Sequence, residues 1–229
     1  MQRPSPMLEP ATPWTRAIAQ RIGVLWPLKA VGTSAFMALF FWAYFTVLEH
    51  PLRTPIVMST TFIDHWVPLL PWSYGIYVSL WVYVSLPPAL MANFRALLNF
   101  GLWVSAMCLF CLAIFWWMPT QTPQFDIDWS QHPGLSLIKG VDAAGNACPS
   151  LHVASAVFSA FWLQRMFRNV GAPAWLSWLS ALQCAAISWS TLATLQHVAW
   201  DVLAGAVVGA AFAAASLWTA ERGAHPVQI

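Results

Sequence analysis

Ser190-Thr-Leu-Ala-Thr-Leu-Gln-His197-Val-Ala-Trp-Asp201 stands between two apolar runs, one over about 174–194 and one opening near His197 and ending near Thr219. The runs decide the fold: helices this long and this poor in charge belong in a bilayer. The link decides where chemistry sits. Residues four apart on a helix share a face, so Asp201 can reach one ring nitrogen of His197. That contact fixes the tautomer and leaves the other nitrogen free as base or nucleophile. An ionisable pair at the edge of a span is costly and as a rule functional. A second histidine, His152 in Cys148-Pro-Ser-Leu-His152, opens another apolar run.

Composition agrees with a membrane bundle. Of 229 residues, 59% are hydrophobic and only 8% charged, and the formal net charge is +2. A soluble domain carries about 25% charged residues, so a water-facing surface is excluded. No basic run is present, which excludes a nucleic-acid partner. The sixteen Trp suit lipid–water interfaces. Cys108 and Cys111 form C-x-x-C inside an uncharged run without partner ligands. They read as packing residues, as does Cys184, and no disulfide, metal or cofactor is implied.

Working outward, residues 1–29 form a basic, Pro-bearing cytoplasmic tail, with an interfacial helix near Trp14 to Trp26. Six spans follow over 30–219: 30–48, about 73–92 with Pro87-Pro88 bending or ending it, 97–117, 149–166, 174–194 and 197–219. Residues 220–229 are a second tail. The loops over 49–71 and 119–148 are polar. His50, His65, His132, Asp126 and Asp128 read as loop residues. Gly205-Ala-Val-Val-Gly209 permits close helix contact and reads as packing. With the N-terminus inside, Arg3, Arg16, Arg21, Lys29, Arg95, Arg165, Arg168 and Arg222 are cytoplasmic, eight of the ten Lys and Arg. The positive-inside rule therefore puts both termini in the cytoplasm. His152 and His197 then fall at one depth on the outer face, together with Arg53 and Lys139.

Pro149-Ser150-Leu151-His152 puts a Ser and a His on a first helical turn, where free N–H groups suit an anion such as phosphate. With Ser190, His197 and Asp201, this pattern resembles the type-2 phosphatidic acid phosphatases, a superfamily that includes sphingomyelin and inositol phosphorylceramide synthases. The family's Pro-Ser-x-His is matched by Pro149, Ser150 and His152. The spacing of its Ser-Arg-x5-His-x3-Asp is matched by Ser190, His197 and Asp201. The likeness covers about 97–219, and six spans is the family's usual layout.

The resemblance implies a lipid phosphatase or phosphotransferase at the outer face of a cytoplasmic membrane. In it His197 is the nucleophile that forms phosphohistidine, Asp201 its partner and His152 the general acid. Ser150, Ser190, Thr191 and Lys139 are the candidate phosphate contacts. Its substrate is a phospholipid or lipid phosphate, with water or an alcohol as acceptor. Thr191 stands where the family has Arg, Leu151 where phosphatases commonly have Gly, and the Lys-x6-Arg-Pro motif is missing. Such cations ordinarily neutralise phosphate. Their loss, with Met118-Pro-Thr-Gln-Thr-Pro123, looks closest to the inositol-phosphotransferase and sphingomyelin-synthase branch, which transfers headgroups. The same loss supports an alternative, a non-catalytic protein that binds or carries phospholipid. At residue level, Asp201 is either a helix cap or the partner of His197, and Ser190 either a packing hydroxyl or a phosphate contact.

Overall fold

The computed structural model describes residues 13–136 and 145–223, and these are mostly helical. Helix α1 spans Trp14–Gly23, α2 Trp26–Glu49, α3 Phe62–Trp66, α4 Tyr74–Val78, α5 Leu80–Ala89, α6 Phe94–Trp117, α7 Leu151–Asn169, α8 Ala174–Ala193 and α9 Ala199–Gly223. Among the described residues, three stretches are long and apolar enough to cross a membrane: Trp26–Glu49, Phe94–Trp117 and Ala199–Arg222. The run expected over 73–92 is helical from Tyr74 to Ala89 with a break at Ser79, and it ends just after Pro87 and Pro88.

Helix α7 lies at the centre. Its buried face includes Val153, Ala154, Ala156, Phe158, Trp162 and Leu163. Helices α5, α6, α8 and α9 all pack against it. The contact with α9 is the closest, and Gly205 and Gly209 are the reason. A Cβ on Gly205 would run into the carbonyl oxygen of Ser150, and one on Gly209 into that of Ala154. Only bare Cα atoms let the two backbones approach this closely. Polar side chains tie the remaining helices. Tyr83 Oη lies 2.8 Å from Ser180 Oγ, Trp162 Nε1 donates to Ser216 Oγ at 2.9 Å and Gln183 Nε2 to Ser79 Oγ at 2.7 Å. With no water inside a bilayer, such groups find partners on neighbouring helices.

The two ends of the bundle differ. One gathers the N-termini of α7 and α9 with the segments 50–73, 118–136 and 145–149. There strand β1 (Ile56–Val57) pairs in parallel with β2 (Thr120–Gln121), and Gln121 bridges to Gly145. Cys148 N donates to Thr120 Oγ1 at 2.8 Å. At the other end, Lys29 Nζ donates to the carbonyls of Arg21 at 2.6 Å and Ala89 at 2.9 Å, joining α1, α2 and α5. Arg165 pairs with Glu221 at 3.0 Å at the same end. Large apolar side chains including Leu39, Trp42, Leu102, Leu109, Leu182 and Val207 are exposed on the outside, as a lipid-facing belt requires.

Candidate active site

His152 and His197 meet at the first of these ends, with ring centroids 5.8 Å apart and planes at 59°. Two local devices bring them together. Ser150 is the N-cap of α7, where its side chain accepts a 3.4 Å hydrogen bond from Val153 N, so His152 falls on the first turn. His197 sits in a tight turn between α8 and α9. Leu195 there has φ of 55°, a left-handed conformation unusual outside glycine. The Thr191 carbonyl holds the turn, accepting from Gln196 N at 3.0 Å and His197 N at 3.1 Å. The glycine contact then sets α9 beside α7, and Ser150 N donates to the Asp201 carbonyl at 2.9 Å.

Asp201 is 0% exposed and does two things. Its Oδ2 accepts from Val198 N at 3.0 Å, which caps α9, and lies 3.5 Å from His197 Nδ1. Capping and contact with the imidazole coexist in one carboxylate. His197 Nδ1 and Asp201 Oδ1 are buried and make no hydrogen bond. Two unsatisfied buried groups side by side are expensive in a stable core. In active sites, contacts of this kind are commonly long before a substrate binds and tighten afterwards. With Nδ1 turned to Asp201, Nε2 is the nitrogen left for a substrate.

The hydroxyls are placed differently. Ser190 and Thr191 are both 0% exposed. Ser190 Oγ donates to the Ile187 carbonyl at 2.7 Å and Thr191 Oγ1 to that of Ser188 at 2.8 Å. Both side chains turn back onto their own helix, the usual refuge of a hydroxyl in an apolar helix. Lys139 lies outside the described residues. Arg53 is exposed in the loop before β1. Burial, then the Asp201 carboxylate, push the Cys148 thiol up to about 11, so it stays protonated.

Several neighbours carry no signal in the sequence reading. Tyr77 stacks on His152 with centroids 4.6 Å apart, and Trp81 meets it edge-on at 6.1 Å. Asp64 Oδ1 accepts from Ala199 N at 2.8 Å, so a carboxylate on α3, 135 positions away, caps the helix that follows His197. Asp64 is itself anchored by Thr61, whose N and Oγ1 donate to Oδ2 at 2.6 and 2.8 Å.

A cavity of about 950 Å³ opens beside the histidines. His152, His197 and Asn146 line one end, and Leu28, Lys29 and Gly32 line the other. Its walls come from α2, α4, α5, α6 and the first turns of α7, and they are overwhelmingly apolar. The arrangement suits an amphiphile: two imidazoles for a polar head and an apolar channel beside them.

A family model described as the PAP2 superfamily matches residues 96–223, more than half of the chain. No curated protein and no solved structure matches it.

Proposed function

Because the chain belongs to the PAP2 superfamily, a group of phosphatases and phosphotransferases, we propose that it is an integral membrane enzyme that cleaves or transfers a phosphoryl-bearing headgroup of a lipid. The observation that carries this reading is the pair of imidazoles 5.8 Å apart at the mouth of an apolar cavity, one beside a buried carboxylate.

His197 Nε2 attacks phosphorus, and a P–N bond forms as the bond from phosphorus to the leaving oxygen breaks. His152 gives its proton to that oxygen. Water or an alcohol then attacks the phosphohistidine and returns a proton to His152, and the P–N bond breaks. Asp201 stabilises positive charge on His197 throughout. Ser150 and the first-turn N–H groups of α7 are the phosphate cradle in place of the family's missing cations. Ser190 and Thr191 act through the turn they hold and reach phosphate only if their hydroxyls swing away from the helix; Arg53 and Lys139 are the cations that the positive-inside count puts on that face. Loss of the family's Lys and Arg favours transfer of a headgroup to an alcohol, as in the branch that includes sphingomyelin and inositol phosphorylceramide synthases. Six spans, both termini in the cytoplasm and a site facing the exterior complete the proposal. It rests on the positive-inside count and on helices over each expected segment.

The test uses purified protein and a panel of lipid phosphates and phosphodiesters, with and without alcohol acceptors. His197→Ala abolishes turnover and the acid-labile phosphohistidine. His152→Ala retains phosphohistidine formation on substrates with good leaving groups but slows turnover about 10²- to 10⁴-fold on alkoxide leaving groups. Normal turnover in either variant at equal expression removes the mechanism. Tight lipid binding without turnover or trapping in the wild type supports the non-catalytic alternative instead.

A further inference from the structure

The cavity reaches much further than a phosphate needs. Its lining residues on α2 run from Leu28 to Phe45, about 25 Å of helix at 1.5 Å per residue. Each leaflet takes up roughly 15 Å of a hydrocarbon core about 30 Å thick. On the six-span layout proposed above, a channel of that length passes from the histidines through one leaflet and into the other. It is continuous with the site, since His152 and His197 are part of its wall. Helices α2, α4 and α5, which form much of it, lie outside the stretch shared with the family.

We propose that this channel takes the extended hydrocarbon tail of the lipid substrate and that its far end, around Lys29, Gly32 and Leu97, limits tail length. The inference rests on the lipid-headgroup reading above for the identity of the head. A tail inside a bilayer is already out of water, so moving it into the protein gains little from the hydrophobic effect. Selection here is steric, and it depends on depth. Two positions probe depth. A Cβ on Gly32, near the far end, would meet nothing within 4 Å. Ser105 lines the channel nearer the histidines, and its hydroxyl only bonds back to the Gly101 carbonyl. Neither touches the reacting groups, and both line the channel, so a Phe at either narrows it.

The experiment pairs a binding readout with a kinetic one. Single-tailed alkyl phosphates of graded length, each with a photoreactive diazirine on the terminal carbon, are cross-linked to the full-length protein in lipid nanodiscs, and adducts are mapped by mass spectrometry. Long tails are expected to label the far end, Lys29, Gly32, Leu97 or Leu98, and short tails the middle of α2 and α6. In parallel, Gly32→Phe lowers kcat/KM about tenfold or more for the longest tails and leaves short ones unchanged. Ser105→Phe moves the cut-off to shorter tails, and Leu39→Phe, on the exposed outer side of α2, moves nothing. Terminal-carbon adducts confined to outward-facing side chains, or one chain-length profile shared by all variants, overturn the proposal and leave the channel to bilayer lipid. Far-end labelling without turnover retains the tail site and rejects the catalytic reading, so the two failures are distinct.

Discussion

The two sides of this bundle are packed to different standards. On the α7–α9 side, backbones touch through Gly205 and Gly209, and Ser150, Ser190, Thr191, Thr194 and Asp201 are all 0% exposed. On the α2 side, Lys29 is the only buried residue of a 24-residue helix, and a 950 Å³ channel runs between α2 and parts of α5 and α6. The dense side lies within the family match, and α2 lies outside it. Reacting groups need fixed geometry, since small misplacements cost large factors in rate. A tail needs only room. On the proposed function the difference is a division of labour, with one side for the chemistry and the other for what the chemistry acts on.

The sharpest way to break that comparison is to make one substitution on both sides. Gly205→Ala drives a methyl group into the Ser150 carbonyl, backbone that cannot swing aside. Overpacking of this kind costs about 1–3 kcal/mol or more, and here it also separates His152 from His197. Gly32→Ala enters open space and replaces a poor helix former, a gain of up to about 1 kcal/mol. Thermal unfolding in detergent should fall markedly for the first and hold or rise for the second. Equal unfolding temperatures would mean that the two sides are not packed differently.

Next in size is Asp201→Asn, which sharpens the claim that the dense side serves chemistry as well as folding. The amide oxygen can keep the 3.0 Å bond from Val198 N, so the cap survives. What goes is the negative charge 3.5 Å from His197 Nδ1. Turnover should fall about 10²- to 10⁴-fold with little change in unfolding temperature, the pattern of an aspartate that orients a catalytic histidine. A variant that loses stability and rate in proportion would make Asp201 a cap alone.

How much of this was legible in the sequence follows from the range of the forces. The His-x3-Asp spacing and the helix start at Pro149-Ser150-Leu151-His152 are local, and local geometry is encoded in spacing; the sequence pattern puts Ser150 on the first turn, where the structure makes it the N-cap. Gly-x3-Gly was legible as a packing motif, but not as the contact that brings the histidines together, because its partner, the Ser150–Ala154 backbone, has no side-chain signature. Ser190 and Thr191 show the opposite limit. Their positions match a phosphate-binding pattern, yet burial turns each hydroxyl onto a carbonyl three residues back, a choice made by the surroundings. The break at Ser79 and the stacking of Tyr77 on His152 depend on neighbours far along the chain. So does the channel, which is a space between helices and has no sequence of its own.

Asp64 lies on the seam between the two sides, and its removal is the smallest of the expected effects. It lies on the short helix α3 in the segment that follows α2 and forms a capping box with Thr61. Its second oxygen crosses to Ala199 N, and a few residues on Leu70 N donates to the Ala193 carbonyl at 2.9 Å. The loop thus grips the α8–α9 turn on both flanks of His197. Asp64→Ala removes a carboxylate cap from α9 and one from α3, a loss of about 1 kcal/mol for each in comparable helices. Because Asp201 still caps Val198 N, α9 should stay folded and the turn should only loosen. Turnover should drop several-fold, with KM little changed, and Asp64→Asn, which keeps an acceptor oxygen, should recover most of it. If Asn fails to rescue, the negative charge of Asp64, rather than its hydrogen bond, is what the site uses. The loop would then count as part of the dense, chemical side rather than as a strap laid across it.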